Sequence, residues 1–233
     1  MEEPESLPQT VAAAIAAFFG LGRVPMDGAD LTKVEKFAAA IDSANYLNSR
    51  MIGCRRYADK YQLLTAATNA RSVPSGLVLE FGVYSGKTLD HIASLETGKI
   101  WGFDSFEGLP DDWRPDVGRG TFKREGLPEV APNAELVVGW FEETLPEFLA
   151  AHAEPVSFLH VDCDIYQSTK TIFHYLHDRI VPETIIVFDE YFNYVGWRAH
   201  EFRAFAEFVA ATGLNYRYLG VVPSHQQVAV TIV

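Results

Sequence analysis

From Leu77 onwards, short apolar runs alternate along the chain with stretches in which apolar residues recur every three or four positions. The runs have the length of strands buried on both faces, and the stretches between them have helical spacing. Strands are expected at residues 77–81, 99–104, 135–138, 156–161, 184–188, 215–222 and 226–233. A helix of about 198–212 follows the fifth strand. Strands alternating with helices imply a parallel sheet. The turn at 223–225 is too short for a parallel crossover, so the last strand must run antiparallel. The pattern predicts an α/β fold around a seven-stranded, mostly parallel sheet.

Upstream of this domain, residues 9–70 read as helical throughout. One helix covers 11–19 and ends at Gly20, and a second repeats apolar positions over 31–41. A third is expected from about 55 to 68, carrying Arg55, Arg56, Tyr57, Lys60 and Tyr61 around Leu63 and Leu64. Residues 1–70 are therefore read as a helical extension and 71–233 as the α/β domain. The extension suits a layer over the sheet, a subunit contact, or a lid. The apolar stretch 11–19 needs a surface to bury it, which points to a homodimer.

Composition narrows the partners. The chain has 233 residues, enough for one such domain plus an extension. A net charge of −12 disfavours a nucleic-acid backbone or an anionic membrane as partner. Two cysteines, Cys54 and Cys163, are too few for a disulfide framework and fit a reducing compartment. The run at 11–19 is too short to span a bilayer and follows acidic residues, so it reads as a helix of a cytoplasmic protein.

The chemistry concentrates at the ends of the strands. Residues 77–81 lead through Gly82 and Gly86 into a helix, a corner where backbone N–H groups can meet a ligand. Gly82-Val-Tyr-Ser-Gly86-Lys-Thr88 is close to a phosphate-binding loop, with Asp189-Glu190 as the magnesium-holding acids of an ATPase. That loop needs four residues between its glycines, and here there are three. Glu80 would also repel a triphosphate, whereas it suits a cationic ligand bearing hydroxyls, such as S-adenosylmethionine. Glu80, Asp104, Asp162 with Asp164, and Asp189 with Glu190 close four of the five leading strands. Ligands of open α/β sheets bind at those carboxyl ends. Clustered carboxylates repel unless a cation compensates, and an all-oxygen set suits a hard divalent metal such as magnesium. Asp164 is the first choice of base and His200 the reserve, although Asp164 also suits a helix cap. Trp140, beside Gly139, is a candidate either to stack on a purine or to fill the core. His160, inside a strand, reads as a packed core side chain.

Five blocks in order carry a resemblance. They are Glu80-Phe-Gly-Val-Tyr-Ser-Gly86, Gly102-Phe-Asp-Ser-Phe-Glu-Gly-Leu-Pro110, Gly139-Trp-Phe-Glu-Glu-Thr-Leu-Pro146, Asp162-Cys-Asp-Ile-Tyr-Gln-Ser-Thr169 and Phe188-Asp-Glu-Tyr191. Over roughly residues 78–208 the chain resembles the macrocin O-methyltransferase family. The resemblance implies a class I, Rossmann-like methyltransferase fold that uses S-adenosylmethionine and magnesium to methylate a sugar hydroxyl. It further implies that the cofactor is held by Glu80, Phe81, Gly82, Tyr84, Ser85 and Gly86, with Asp104, Ser105 and Phe106. By the same resemblance Asp162, Asp189 and Glu190 hold the metal, and Asp162 also borders the cofactor. A catechol-type O-methyltransferase, an ATPase and a non-catalytic nucleotide-binding module are the competing readings.

Overall fold

A computed structural model describes residues 30–73 and 75–233 of the chain. The helix expected at 11–19 lies outside the described residues. Five parallel strands form the middle and one edge of the sheet: β2 (Leu77–Phe81), β3 (Ile100–Asp104), β4 (Ala134–Val138), β5 (Val156–Val161) and β6 (Ile180–Phe188). β7 (Tyr216–Val221) and β8 (Val228–Ile232) complete the expected seven. An eighth strand, β1, is the dipeptide Arg55–Arg56, which pairs in parallel with Gly220 and Val221. The order across the sheet is β1-β7-β8-β6-β5-β2-β3-β4. β8 runs antiparallel to both β6 and β7 and so lies inside the sheet.

The pairing of Arg55 and Arg56 corrects the expected third helix. Asp59, in extended backbone, caps the N-terminus by accepting from the Gln62 N–H, so helix α2 runs only over Lys60–Asn69. Helix α1 (Leu31–Arg50) precedes it, nine residues longer than the apolar repeat of 31–41 implied. Its inner end is fixed by polar contacts as well as packing. The hydroxyls of Tyr46 and Tyr191 both meet that of Tyr218, at 2.6 and 3.0 Å. Arg198 donates to both carboxylate oxygens of Asp42 at 2.9 Å.

Period-two alternation sends opposite faces of the strands into two cores. Phe81, Phe103, Val161 and Phe188 pack on one face, towards α4 (Phe141–Ala151), α5 (Tyr166–Leu176) and α6 (Glu201–Thr212). Val78, Phe158 and Val187 pack on the other, with Leu63 and Leu64 of α2 and Leu89 and Ile92 of α3 (Lys87–Ser94). Glu80 and His160 sit side by side in register, with His160 next to Val187. Parity places Glu80, His160, Asp162 and Asp189 on this second face, beneath α2 and α3.

The segment between β3 and β4 lacks regular structure, but it is tied down. Leu109 and the stretch 120–121 exchange two backbone hydrogen bonds of 2.8 Å, and the Arg124 N–H donates to the Phe106 carbonyl. Trp113 is buried, with its ring against Tyr194 and the Arg114 guanidinium 3.7 Å above it. No helix among the described residues is long and apolar enough to cross a membrane.

Candidate active site

The chain reverses direction across the sheet beside β2, and a cavity of about 990 Å³ opens at the carboxyl ends of the strands there. Backbone bonds align those ends. The Gly82 N–H donates to the Phe103 carbonyl, that of Asp162 to Phe81, and that of Asp189 to Val161, at 2.8–2.9 Å. At Gly82 the chain has φ of +93°, and a Cβ there would stand 1.7 Å from the Asp162 carbonyl oxygen. Only glycine satisfies both conditions. The close approach sets the first turn of the corner against the acids that follow β5.

On the first turn, Asp104 organises the backbone. Its Oδ2 accepts from the Val83 and Tyr84 N–H groups at 2.9 and 2.8 Å, and its Oδ1 from Phe106 at 2.7 Å. Glu80 is almost wholly buried; its Oε1 accepts from the Thr88 hydroxyl at 2.5 Å, while Oε2 has no hydrogen-bond partner. In a phosphate-binding loop the corresponding hydroxyl holds magnesium. Here it is committed to Glu80, which removes the ATPase reading of this corner.

Of the residues expected at the cofactor, Gly82, Tyr84, Ser85, Asp104, Ser105 and Trp140 line the cavity, as does Asp162. Glu80, Phe81, Gly86, Phe106 and Gly139 are not among the lining residues. The acids expected at the metal, Asp162, Asp189 and Glu190, all line it together with Asp164. His200 is not among the lining residues. It sits half-buried next to Tyr194, where burial and the nearby Arg114 charge lower its pKa.

Asp162, Asp189 and Glu190 each bring a carboxylate oxygen within 4.8 Å of the other two. Glu190 is buried, and its Oε2 has no hydrogen-bond partner. Burial, reinforced by the Asp189 charge, pushes Glu190 and Asp162 well above the usual carboxylate range. Asp164 is raised to about 7 by the same two causes. Three converging oxygens under mutual repulsion, one of them orphaned, fit a hard divalent cation.

Two residues join the acids without having been expected there. His160 lies fully buried between Glu80 and Asp189, with Nδ1 3.5 Å from Glu80 Oε1 and Nε2 3.6 Å from Asp189 Oδ1. Burial acts to lower its pKa, but the two carboxylates overcome this and raise it to about 10. The two flanking carboxylates thus favour the protonated ring. Its signal was in the sequence, because His160 precedes Asp162 by two and shares its face. Lys60 arrives from α2, with Nζ 3.5 Å from Asp189 Oδ1. Burial acts upward on Asp189, yet His160 and Lys60 together hold it below its ordinary value.

Comparison with known proteins places the chain by fold. Residues 79–191 match a methyltransferase-domain family. The chain superposes on calicheamicin methyltransferase CalS11 with a TM-score of 0.58, covering 98% of this chain and 94% of that one at 19% identity. The apo form of that protein carries the description TDP-rhamnose 3'-O-methyltransferase. The O-methyltransferase NovP follows, with a TM-score of 0.55 over 73% and 78% of the two chains at 16% identity. The chain thus has the class I methyltransferase fold, and the stretch 79–191 is similar to a methyltransferase domain.

In sequence, it is 26% identical over 168 residues to a Streptomyces olivaceus enzyme. That relative is the 8-demethyl-8-(2,3-dimethoxy-alpha-L-rhamnosyl)-tetracenomycin-C 4'-O-methyltransferase. The match covers 60% of this chain and 62% of the relative's own length. The resemblance to macrocin-type enzymes read from the five blocks is borne out by these relatives.

Proposed function

We propose that this protein is an S-adenosylmethionine-dependent O-methyltransferase that acts on a hydroxyl of a sugar or glycoside with the help of a divalent metal. The observation that carries this reading is the single cavity bordered by the Gly82–Asp104 turn on one side and three converging carboxylates on the other. The rhamnose in the names of two similar proteins supports the acceptor class. The turn at Gly82, with Tyr84, Ser85, Asp104 and Trp140, holds the cofactor, which supplies a methyl group already on a good leaving group. Asp162, Asp189 and Glu190 hold the metal, magnesium being suited to an all-carboxylate set, and its charge makes a nearby hydroxyl more acidic.

The protein's remaining tasks are to place the acceptor oxygen and to take its proton. Asp164 lines the cavity beside these acids, where its carboxylate can accept that proton. His200, behind the lining, is the reserve. Trp113 and Arg114 also line the cavity and are offered to the acceptor. The protein works in the cytoplasm as a homodimer, and the exposed Leu31, Val34 and Ile41 of α1 offer apolar side chains to such a contact.

Asp104→Ala is expected to weaken S-adenosylmethionine binding at least about tenfold. Each charge-assisted hydrogen bond contributes about 1.5–3 kcal/mol, and about 1.4 kcal/mol is one decade of affinity. The three backbone N–H groups that Asp104 gathers would also lose their partner. Calorimetric titration measures this, and unchanged affinity would take Asp104 out of the cofactor site.

The acceptor is tested by incubating the protein with S-adenosylmethionine and a panel of free sugars, sugar nucleotides, glycosides and catechols. S-adenosylhomocysteine should accumulate with a sugar-bearing acceptor. Turnover confined to catechols would move the reading to a catechol-type enzyme. Cofactor binding without product from any acceptor would leave a binding module.

A further inference from the structure

Helix α2 lies outside the segment matched by the methyltransferase-domain family, yet its first residue reaches the acid cluster. The placement is firm. Asp59 caps the helix, Leu63 and Leu64 are buried against the sheet, and the Thr65 hydroxyl meets His91 of α3 at 2.9 Å. Lys60 therefore starts from a fixed point, and its ammonium lies 3.5 Å from Asp189 Oδ1. The side chain is 32% exposed, at the cavity wall, while the Asp189 side chain is 5% exposed. A second basic side chain, besides the buried His160, thus faces three carboxylates, and it contacts one of the acids that a dication would need.

We infer that Lys60 is the resident counter-ion of the Asp162–Asp189–Glu190 cluster and competes with the divalent metal for it. The inference rests on the proposal that this cluster takes a metal. A compact ammonium is a point charge on a flexible stem. It neutralises part of the repulsion when no metal is bound, and it repels an incoming dication at short range. Asp189 Oδ2 is separately held by the Gln227 amide at 3.1 Å, so Oδ1, which His160 Nε2 also approaches at 3.6 Å, is the oxygen over which Lys60 and the dication contend. Lys60 is in this sense a positioning residue. It keeps Asp189 aimed at the cavity and sets how tightly the site loads.

The test is calorimetric titration of the full chain with magnesium and with manganese, for wild type, Lys60→Met, Lys60→Gln and Lys60→Arg. Both neutral variants should bind the metal at least about tenfold more tightly than wild type, a change of about 1.4 kcal/mol. Lys60→Arg, which keeps the charge, should stay near wild type. Thermal melting of each variant confirms that it is folded, and two neutral variants guard against the loss of one. Equal or weaker affinity in the neutral variants would overturn the inference and leave the metal site standing. Equal tightening in Lys60→Arg would overturn it too, because the charge would then be irrelevant. If neither wild type nor any variant binds a divalent metal, the metal proposal and this inference fall together.

Discussion

Asp162→Ala is expected to lower methyl transfer at least about a hundredfold while the protein stays folded and still binds S-adenosylmethionine. A metal acting as a Lewis acid contributes several kcal/mol to stabilising developing charge, and about 1.4 kcal/mol is a factor of ten in rate. The Asp162 backbone keeps its place, because its N–H bond to the Phe81 carbonyl does not involve the side chain. Stability should hold or rise. Burial and the Asp189 charge both raise the pKa of Asp162, so its ionised form is under strain without a metal, and removing it relieves that repulsion. Kinetics, cofactor titration and a melting curve on the one variant separate these outcomes. A variant that keeps wild-type turnover would remove Asp162 from the chemistry.

Gly82→Ala has the opposite signature. A methyl group placed 1.7 Å from the Asp162 carbonyl oxygen and 2.6 Å from its carbon has nowhere to go, since both neighbours are backbone. The φ of +93° adds strain for any residue with a Cβ. Overpacking and backbone strain each cost about 1–3 kcal/mol, so a loss of roughly 3 kcal/mol is expected. In a chain of this size that lowers the melting temperature by about 6–12 °C. Cofactor binding and turnover should fall together, because the shift separates the turn from the acids. A variant that melts like wild type would mean that the two strand ends do not meet as closely as described.

The buried strands were the most legible part of the fold. Residues 77–81 and 156–161 are mostly apolar, broken only by Glu80, Ser157 and His160, and the strands observed there have the same limits. β1 was not legible, because two exposed arginines carry no strand pattern and pair only through their backbone to Gly220 and Val221. Asp59 did carry a signal, as an N-cap immediately before Lys60, and reading it would have started α2 in the right place.

At the site, the acids announced themselves by ending strands, since the sheet topology brings those ends together whatever the loops do. Lys60 gave no such sign. It is 129 positions from Asp189 in the chain, and only the packing of α2 on the sheet and against α3 brings the two together. His160 illustrates a different loss. Its burial was read correctly, but not the two carboxylates that share its face on either side. Asp104 was read as holding the cofactor, and the three backbone N–H groups it gathers became visible only once the turn had a shape.

The central claim is that the three carboxylates serve methyl transfer through a divalent cation. It is tested most directly by following S-adenosylhomocysteine formation with a sugar-bearing acceptor in excess chelator, and then after adding magnesium beyond the chelator. The account predicts that turnover is lost in chelator and returns with magnesium, while S-adenosylmethionine binding is largely unchanged throughout. Full turnover in excess chelator would contradict it, and would leave Asp164 or His200 to act as base without metal assistance.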